Sequence, residues 1–212
     1  MRSSQAIGKL GRLAAWQHGY VTRTQAAQMG VTADRLRRLA LDEAVEHVIR
    51  GVYRVAGAPG LRFEFIFAEW LATDPGRSYE ERLNRPWEGF VAAADTASTL
   101  HEVGVFAVDT MEFVGPLPKR NPRQGVAFRV RKLAPDDVVI VEEVPALTVA
   151  ATVADLIDQC HDLSIIGDLV DDARHFGKVD EEDMLRRIDQ LPPTRRHNLR
   201  AAELLKWITE SC

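Results

Sequence analysis

Two helix-start signals, Thr22 and Thr32, lie on either side of Gly30 and constrain the fold more than any other feature of the chain. Thr22 suits the N-cap of a helix, and Gln25 three residues later completes a capping box. Gly30 ends this helix after fewer than two turns. Thr32 caps the next helix, predicted over residues 33–43. The pattern therefore predicts a short helix, a tight turn and a second helix in immediate succession.

The segments on either side complete a small module. Apolar residues at helical spacing predict a helix over residues 4–17. The two β-branched runs VEHVI and VYRVA, separated by Arg50-Gly51, predict a hairpin. This order of three helices and a hairpin predicts a winged helix-turn-helix over residues 1–57. The glycine- and proline-rich residues 57–60 mark its boundary.

The charge distribution indicates the partner of this module. Residues 1–57 contain nine Lys/Arg and four Asp/Glu, a net charge of +5, whereas the rest of the chain carries −9. In helix-turn-helix proteins the second helix of the motif enters the major groove, where arginine pairs with guanine. We therefore predict binding to double-stranded DNA. The predicted contacts are phosphate-holding groups at the start of the short helix, the basic helix with its cap, and the wing: Thr22, Arg23, Thr24, Gln25, Thr32, Arg35, Arg37, Arg38, Arg50 and Arg54.

The remainder, residues 61–212, is predicted to be a larger mixed domain, so that the fold class is α+β. Residues 74–90 read as an irregular segment. Asp95 is the predicted cap of the helix that follows it. The other predicted elements are helices at 61–73, 95–103, 148–159, 162–175, 180–190 and 194–210 and strands at 109–114, 126–132 and 138–141.

Two regions of this remainder carry charge of one sign. No acid occurs in residues 119–132, which makes this run a possible secondary basic patch that extends the DNA footprint, meets an acidic partner or is simply solvated. Residues 136–190 hold 15 Asp/Glu against four Lys/Arg, which suits a basic protein partner or a solvated helix face. The cations of the basic run are Lys119, Arg120, Arg123, Arg129, Arg131 and Lys132.

The sequence offers little for catalysis. It contains no glycine-rich phosphate loop and no HExxH, CxxC or GxSxG motif. Its six histidines are scattered, and Cys160 and Cys212 do not have metal-ligand spacing. We therefore predict no catalytic residue, no metal and no cofactor. The polar amino-terminal segment and the lack of a long apolar run favour a cytoplasmic protein without a membrane partner.

Four stretches of the chain resemble the AbiEi-type antitoxins of type IV toxin–antitoxin systems. GYVTRTQAAQMGVTADRLRRL is similar to the helix-turn-helix opening of that family, and HVIRGVYRVAG to its wing, with Arg-Gly-Val-Tyr as the most specific element. AADTASTLHEVG resembles the helix that follows. RVRKLAPDDVVIVEEVPALTVAATVADLID resembles a later block of two strands and a helix.

The resemblance implies more than the residues do. It implies a repressor that binds inverted repeats at its own promoter, with a possible homodimer on the DNA. It also implies an antitoxin that counteracts, directly or indirectly, a nucleotidyltransferase-like toxin encoded beside it. The alternatives are a stand-alone transcriptional regulator with a ligand-sensing or oligomerisation domain, and an enzyme of unrecognised type. A neighbouring nucleotidyltransferase gene separates the first two readings.

Overall fold

A computed structural model describes residues 3–104, 109–120 and 123–210. The chain is α+β, as predicted, and divides into two compact units. The first unit comprises Met1–Pro86 and Glu142–Val144, and the second comprises Trp87–Val141 and Pro145–Cys212.

The first unit begins with the predicted order of elements. The capping box of Thr22 and Gln25 is present, and the Thr32 side chain accepts a hydrogen bond from the Arg35 backbone, which confirms both predicted caps. Gly30 has φ +77°, a left-handed conformation that favours glycine, and so ends the short helix. The elements are α1 (Ser3–Ala14), β1 (Tyr20–Thr22), α2 (Arg23–Gln28), α3 (Ala33–Leu41), β2 (Val45–Ile49) and β3 (Val52–Val55).

The predicted hairpin is part of a three-stranded sheet. Strand β3 lies between β1 and β2 and pairs antiparallel with both. Gly51, with φ +91°, provides the tight connection between β2 and β3. Ala6, Leu10, Leu36 and Leu39 bring the apolar faces of α1 and α3 into one core with residues of β1 and β2. This arrangement is a winged helix-turn-helix.

Two more helices belong to the same compact unit, α4 (Glu64–Thr73) and α5 (Tyr79–Leu83). Helix α5 and a 3-10 turn at Pro86–Glu88 lie in the segment that we predicted to be irregular, so that prediction is wrong. Ser78 and Glu81 form a capping box that starts α5. The compact unit therefore extends beyond residue 57, whereas the limit of the DNA-binding module at that residue is a functional boundary and stays a prediction.

The second unit is built around a five-stranded mixed sheet in the order β6-β5-β4-β8-β7. Helix α7 is buried along most of its length and lies in a core shared with α8, α9 and α10. The elements are β4 (Val91–Ala92), α6 (Ala94–His101), β5 (Met111–Gly115), β6 (Val126–Val130), β7 (Val138–Val141), β8 (Val144–Leu147), α7 (Val149–Asp158), α8 (Leu163–His175), α9 (Glu181–Asp189) and α10 (Ala201–Glu210).

The structure corrects three details of this unit. Asp95 lies in the first turn of α6 and does not cap it, since the N-cap residue is Ala93, without a side-chain hydrogen bond. The short strands β4 and β8 were not predicted. The predicted helix 194–210 is a 3-10 turn, Pro193–Arg196, followed by α10, because His197 and Asn198 adopt positive φ and interrupt the helical path.

None of the helices within the described ranges has the length and apolar character needed to cross a membrane.

Candidate nucleic-acid interface

Helix α3 presents a basic outer face. Leu36 and Leu39 are buried, while Arg37 and Arg38 are exposed on the other side of the helix. Helical periodicity separates these residues, because positions three apart share a face and adjacent ones do not. The sequence-predicted pair of arginines therefore lies where a groove of DNA could receive the helix.

The two arginines differ in their surroundings. Arg38 lies 2.8 Å from Asp34, and both side chains are more than 60% exposed. An exposed pair of this kind stabilises a helix by only about 0.3–0.5 kcal/mol, so Arg38 remains able to exchange Asp34 for a phosphate or a base. Within the described ranges Arg37 forms no ion pair. Arg37 and Arg38 are thus both exposed cations of α3.

The remaining predicted residues of α3 have a more structural position. Thr32 is exposed and caps the helix through its hydroxyl, which accepts from the Arg35 backbone N–H at 3.3 Å. Arg35 is half-buried, and its guanidinium donates to the Ser3 hydroxyl at 3.1 Å. Arg35 therefore links α3 to the start of α1, and its contact with DNA stays a prediction.

The predicted phosphate-binding residues at the start of α2 divide into two groups. Arg23 and Thr24 are exposed and remain candidates. Thr22 and Gln25 are only 1% and 3% exposed. The Thr22 hydroxyl caps α2 and donates to the Pro75 carbonyl, and the Gln25 amide donates to the Arg77 carbonyl at 2.9 Å. We therefore withdraw the side chains of Thr22 and Gln25 as DNA contacts.

Gln17 belongs to the same buried network, and sequence reasoning missed it. Its amide nitrogen donates to the Gln25 side-chain oxygen, and the Gln25 amide nitrogen donates back, both at 3.0 Å. Gln17 also donates to the Tyr20 carbonyl and accepts from the Tyr79 backbone N–H. A glutamine eight residues before another carries no local signal for such a pair. The network holds the start of α2 against residues 75–79.

Of the two cations predicted to contact DNA from the wing, one is exposed and the other is largely buried. Arg50 is exposed at the tip of the hairpin. Arg54 is 17% exposed and is bound by Glu46 and by Glu64, the latter at 2.8 Å. The hydrogen bond to Glu46 raises the pKa of the Arg54 guanidinium. The neighbouring Tyr20 phenol is buried and donates a hydrogen bond to Glu64, and both effects raise its pKa. Two carboxylates neutralise Arg54, so we withdraw it as a DNA contact.

In the possible secondary basic patch, Arg129 of β6 and Arg131 just after that strand are already bound by carboxylates. Arg129 donates to Glu112 at 2.9 Å and to both oxygens of Asp155, which is 2% exposed. Arg131 donates to Asp155 at 3.0 Å. Burial lowers the pKa of the Arg129 guanidinium, but the hydrogen bonds and charges of Asp155 and Glu112 outweigh it and raise that pKa. These arginines neutralise an interior carboxylate, which favours a structural role for them over an extension of the DNA footprint.

The other members of the basic run are nearer to solvent. Arg120 and Lys132 are exposed, and Arg123 is half-buried. Lys119 is half-buried, with its ammonium 5.6 Å from the ring centres of both Phe90 and Phe128. A cation within about 6 Å of an aromatic ring is attracted by the face of the ring, so Lys119 packs against these two side chains. The run therefore does not form a continuous basic surface of six residues.

A cleft of about 580 Å³ lies beside this arginine cluster in the second unit. Its lining includes Arg129, Arg131, Asp155 and Arg187. Arg187 is itself bound by Asp137 and Asp183, the latter at 2.7 Å. The lining of the cleft therefore contains both arginines and carboxylates. Among the described residues no group of His, Cys, Asp or Glu has the arrangement to hold a metal ion.

Comparisons with known proteins bear on the first unit. Residues 9–56 match the family model described as "Transcriptional regulator, AbiEi antitoxin", which confirms the resemblance to AbiEi-type antitoxins over that segment. The structure is similar to the crystal structure of the RV2827C protein from Mycobacterium tuberculosis, with a TM-score of 0.53 and 15% identity. The aligned region covers 97% of this chain and 77% of the other. At this level of identity the similarity shows a shared fold and nothing about function. None of the curated proteins matches the chain.

Proposed function

We propose that α3 is a recognition helix that enters the major groove of double-stranded DNA. The observation that carries the proposal is the exposed pair Arg37 and Arg38 on a helix whose opposite face is buried in the module core. Arg23 and Thr24 at the start of α2 and Arg50 on the wing then contact the backbone, as positioning groups do in helix-turn-helix complexes. The match of residues 9–56 to a family of transcriptional regulators supports this assignment.

We further propose that the protein acts in the cytoplasm as a non-enzymatic autorepressor and antitoxin. It binds inverted repeats at its own promoter and counteracts a nucleotidyltransferase-like toxin encoded beside it. Residues 61–212 carry the second activity. The excess of acid over base in residues 136–190 supports this division, since a segment with net negative charge is disfavoured beside DNA phosphates and favoured beside a basic protein.

Substitution of the two arginines tests DNA binding. Arg37→Ala and Arg38→Ala are each expected to weaken binding to the promoter fragment by about tenfold, or ~1.4 kcal/mol, because each removes a charged groove contact. Fluorescence anisotropy at one fixed salt concentration measures the effect. Arg200→Ala, which removes an exposed arginine of the second unit, is the matched control and is expected to leave affinity within about twofold. Unchanged affinity in both α3 variants rejects α3 as the recognition helix.

Co-expression tests the antitoxin activity. The product of the adjacent gene is expected to arrest growth when expressed alone, and the full chain is expected to restore growth. An Arg37→Ala/Arg38→Ala double variant is expected to restore growth equally well when both genes are under external promoters, because neutralisation does not pass through promoter DNA. Continued arrest in the presence of the full chain contradicts the antitoxin proposal and leaves DNA binding to be judged by anisotropy.

One observation favours a second candidate function, a regulator whose larger unit senses a small ligand. The cleft beside Arg129 and Arg187 has a volume of about 580 Å³, within the range of about 300–1,000 Å³ that small-molecule sites occupy. Absence of growth rescue together with arginine-dependent promoter binding would favour this candidate over the antitoxin.

A further inference from the structure

Strand β7 forms an open edge of the sheet in the second unit. It is the last strand in the order β6-β5-β4-β8-β7, so among the described strands it pairs with β8 alone. Val139 and Ile140 are 39% and 40% exposed, and as neighbours in a strand they lie on opposite faces of the sheet. The edge therefore exposes apolar side chains on both faces and can still accept a further strand.

Part of the β7 backbone is directed away from β8. The short connection at residues 142–143 makes the two strands antiparallel, and hydrogen bonding then alternates along each strand. The Thr148 N–H donates to the Asp137 carbonyl at 2.9 Å, so every second residue from Asp137 onwards pairs with β8. The Val138 N–H is used in the preceding turn. The open edge therefore presents the carbonyl of Val138 and both the N–H and the carbonyl of Ile140.

Acidic residues lie at both ends of β7. Asp136 shortly before the strand and Glu142 directly after it have exposed side chains, and within the described ranges neither carboxylate forms an ion pair. Their neighbours Asp137 and Glu143 are already bound by other side chains. Two exposed negative charges therefore bracket the apolar edge.

We propose that β7 pairs with an extended segment of a partner protein that carries basic residues at both ends of an apolar stretch. The added strand completes the hydrogen bonds of the open edge, and its side chains select the partner. Its apolar centre covers Val139 and Ile140, and its cations meet Asp136 and Glu142. A second copy of β7 fits poorly, because antiparallel pairing brings the acids of the two chains together. The interaction requires neither DNA binding nor antitoxin activity.

Short synthetic peptides serve as probes. The peptide KTVIVTK carries its lysines at the same separation in sequence as Asp136 and Glu142, and ETVIVTE has the same centre with opposite charges. When the lysines lie opposite the two acids in an antiparallel pair, the third residue of the peptide directs its N–H to the Ile140 carbonyl. The fourth residue directs its N–H away from β7. A methyl group on the third peptide nitrogen therefore blocks the pairing, and the same group on the fourth is the matched control.

Fluorescence anisotropy of the labelled peptides with the full chain tests the proposal. The wild type is expected to bind KTVIVTK with a dissociation constant of about 10–100 μM, as suits a small and transient interface, and ETVIVTE at least about tenfold more weakly. Asp136→Lys/Glu142→Lys is expected to reverse this preference. Asp168→Lys/Glu182→Lys makes the same change of charge at two exposed carboxylates of α8 and α9 and is expected to keep the preference of the wild type.

The methylated peptides separate strand pairing from simple charge attraction. Methylation of the third nitrogen is expected to weaken binding at least about tenfold, and methylation of the fourth by less than about threefold. A wild type that does not bind KTVIVTK, or that binds both peptides equally, overturns the proposal. Equal effects of the two methyl groups overturn pairing at the strand edge. Equal effects of the two double variants, both with unchanged circular dichroism, assign the preference to net charge and also overturn it.

Discussion

Gln17 and Gln25 exchange two hydrogen bonds in the interior of the first unit, and each is also bound to the backbone of a neighbouring segment. A buried amide is tolerated when its donors and acceptors are satisfied, and this pair satisfies both members. The pair therefore fixes the start of α2, and α2 in turn supports α3. The exposed arginines depend on a side chain that never touches the surface.

Replacement of Gln17 by leucine is expected to lower the free energy of unfolding by about 2–4 kcal/mol, because it leaves one N–H of the Gln25 amide and the Tyr79 N–H buried without partners. Urea denaturation measures the loss. Gln28→Leu is the control, since Gln28 is exposed and donates only a 3.3 Å hydrogen bond to Gly76, and it is expected to change stability by less than about 0.5 kcal/mol. Equal effects of the two substitutions would contradict a structural role for the buried pair.

Single arginines also show where prediction from sequence ends. The outward positions of Arg37 and Arg38 follow from helical periodicity, which is local information. The inward positions of Arg54 and Arg129 depend on Glu64 and Asp155, which lie 10 and 26 residues further along the chain. A count of basic residues in the sequence does not show which of them form ion pairs with carboxylates in the fold.

The same distinction holds for whole elements. Helices with a capping residue and an apolar stripe, such as α2, α3 and α7, begin where the sequence predicts, since both signals are local. Strand β4 has two residues and pairs with β5 and β8. Its extended conformation is therefore stabilised by the neighbouring strands, and two residues are too few to give a sequence pattern. Helix α5 was missed although Ser78 and Glu81 form a capping box, because prolines and glycines around it suggested an irregular segment.

At the scale of the molecule, the winged module has more support than its first 57 residues provide. Phe67 and Trp70 of α4 and Tyr79 of α5 form an aromatic cluster with Tyr20 and His18, with ring centres 4.9–5.9 Å apart. Aromatic contacts of this geometry stabilise by about 0.5–1.5 kcal/mol each beyond the area they bury. Helices α4 and α5 thus pack against strand β1 and stabilise it.

A comparison of two fragments tests whether α4 and α5 stabilise the winged module. Residues 1–86 are expected to unfold cooperatively on heating, whereas residues 1–57 are expected to unfold at a lower temperature or without a cooperative transition. The shorter fragment loses Glu64, which binds both Tyr20 and Arg54, and exposes the otherwise fully buried Tyr20 ring. Circular dichroism follows both transitions, and since both fragments lack Glu142–Val144 the comparison is matched. Identical melting temperatures would show that α4 and α5 contribute nothing to the module.

The carboxylates around Arg54 also bear on how the protein travels along DNA. Each cation that meets a phosphate releases about 0.9 counterion from B-form DNA, and this release holds a protein on sequences it does not recognise. Because Glu46 and Glu64 already occupy Arg54, the wing keeps Arg50 as its cation for this purpose. We therefore expect the protein to stay only briefly on DNA of random sequence and to search by dissociating and rebinding. Long residence times are then expected only at sites whose bases α3 recognises.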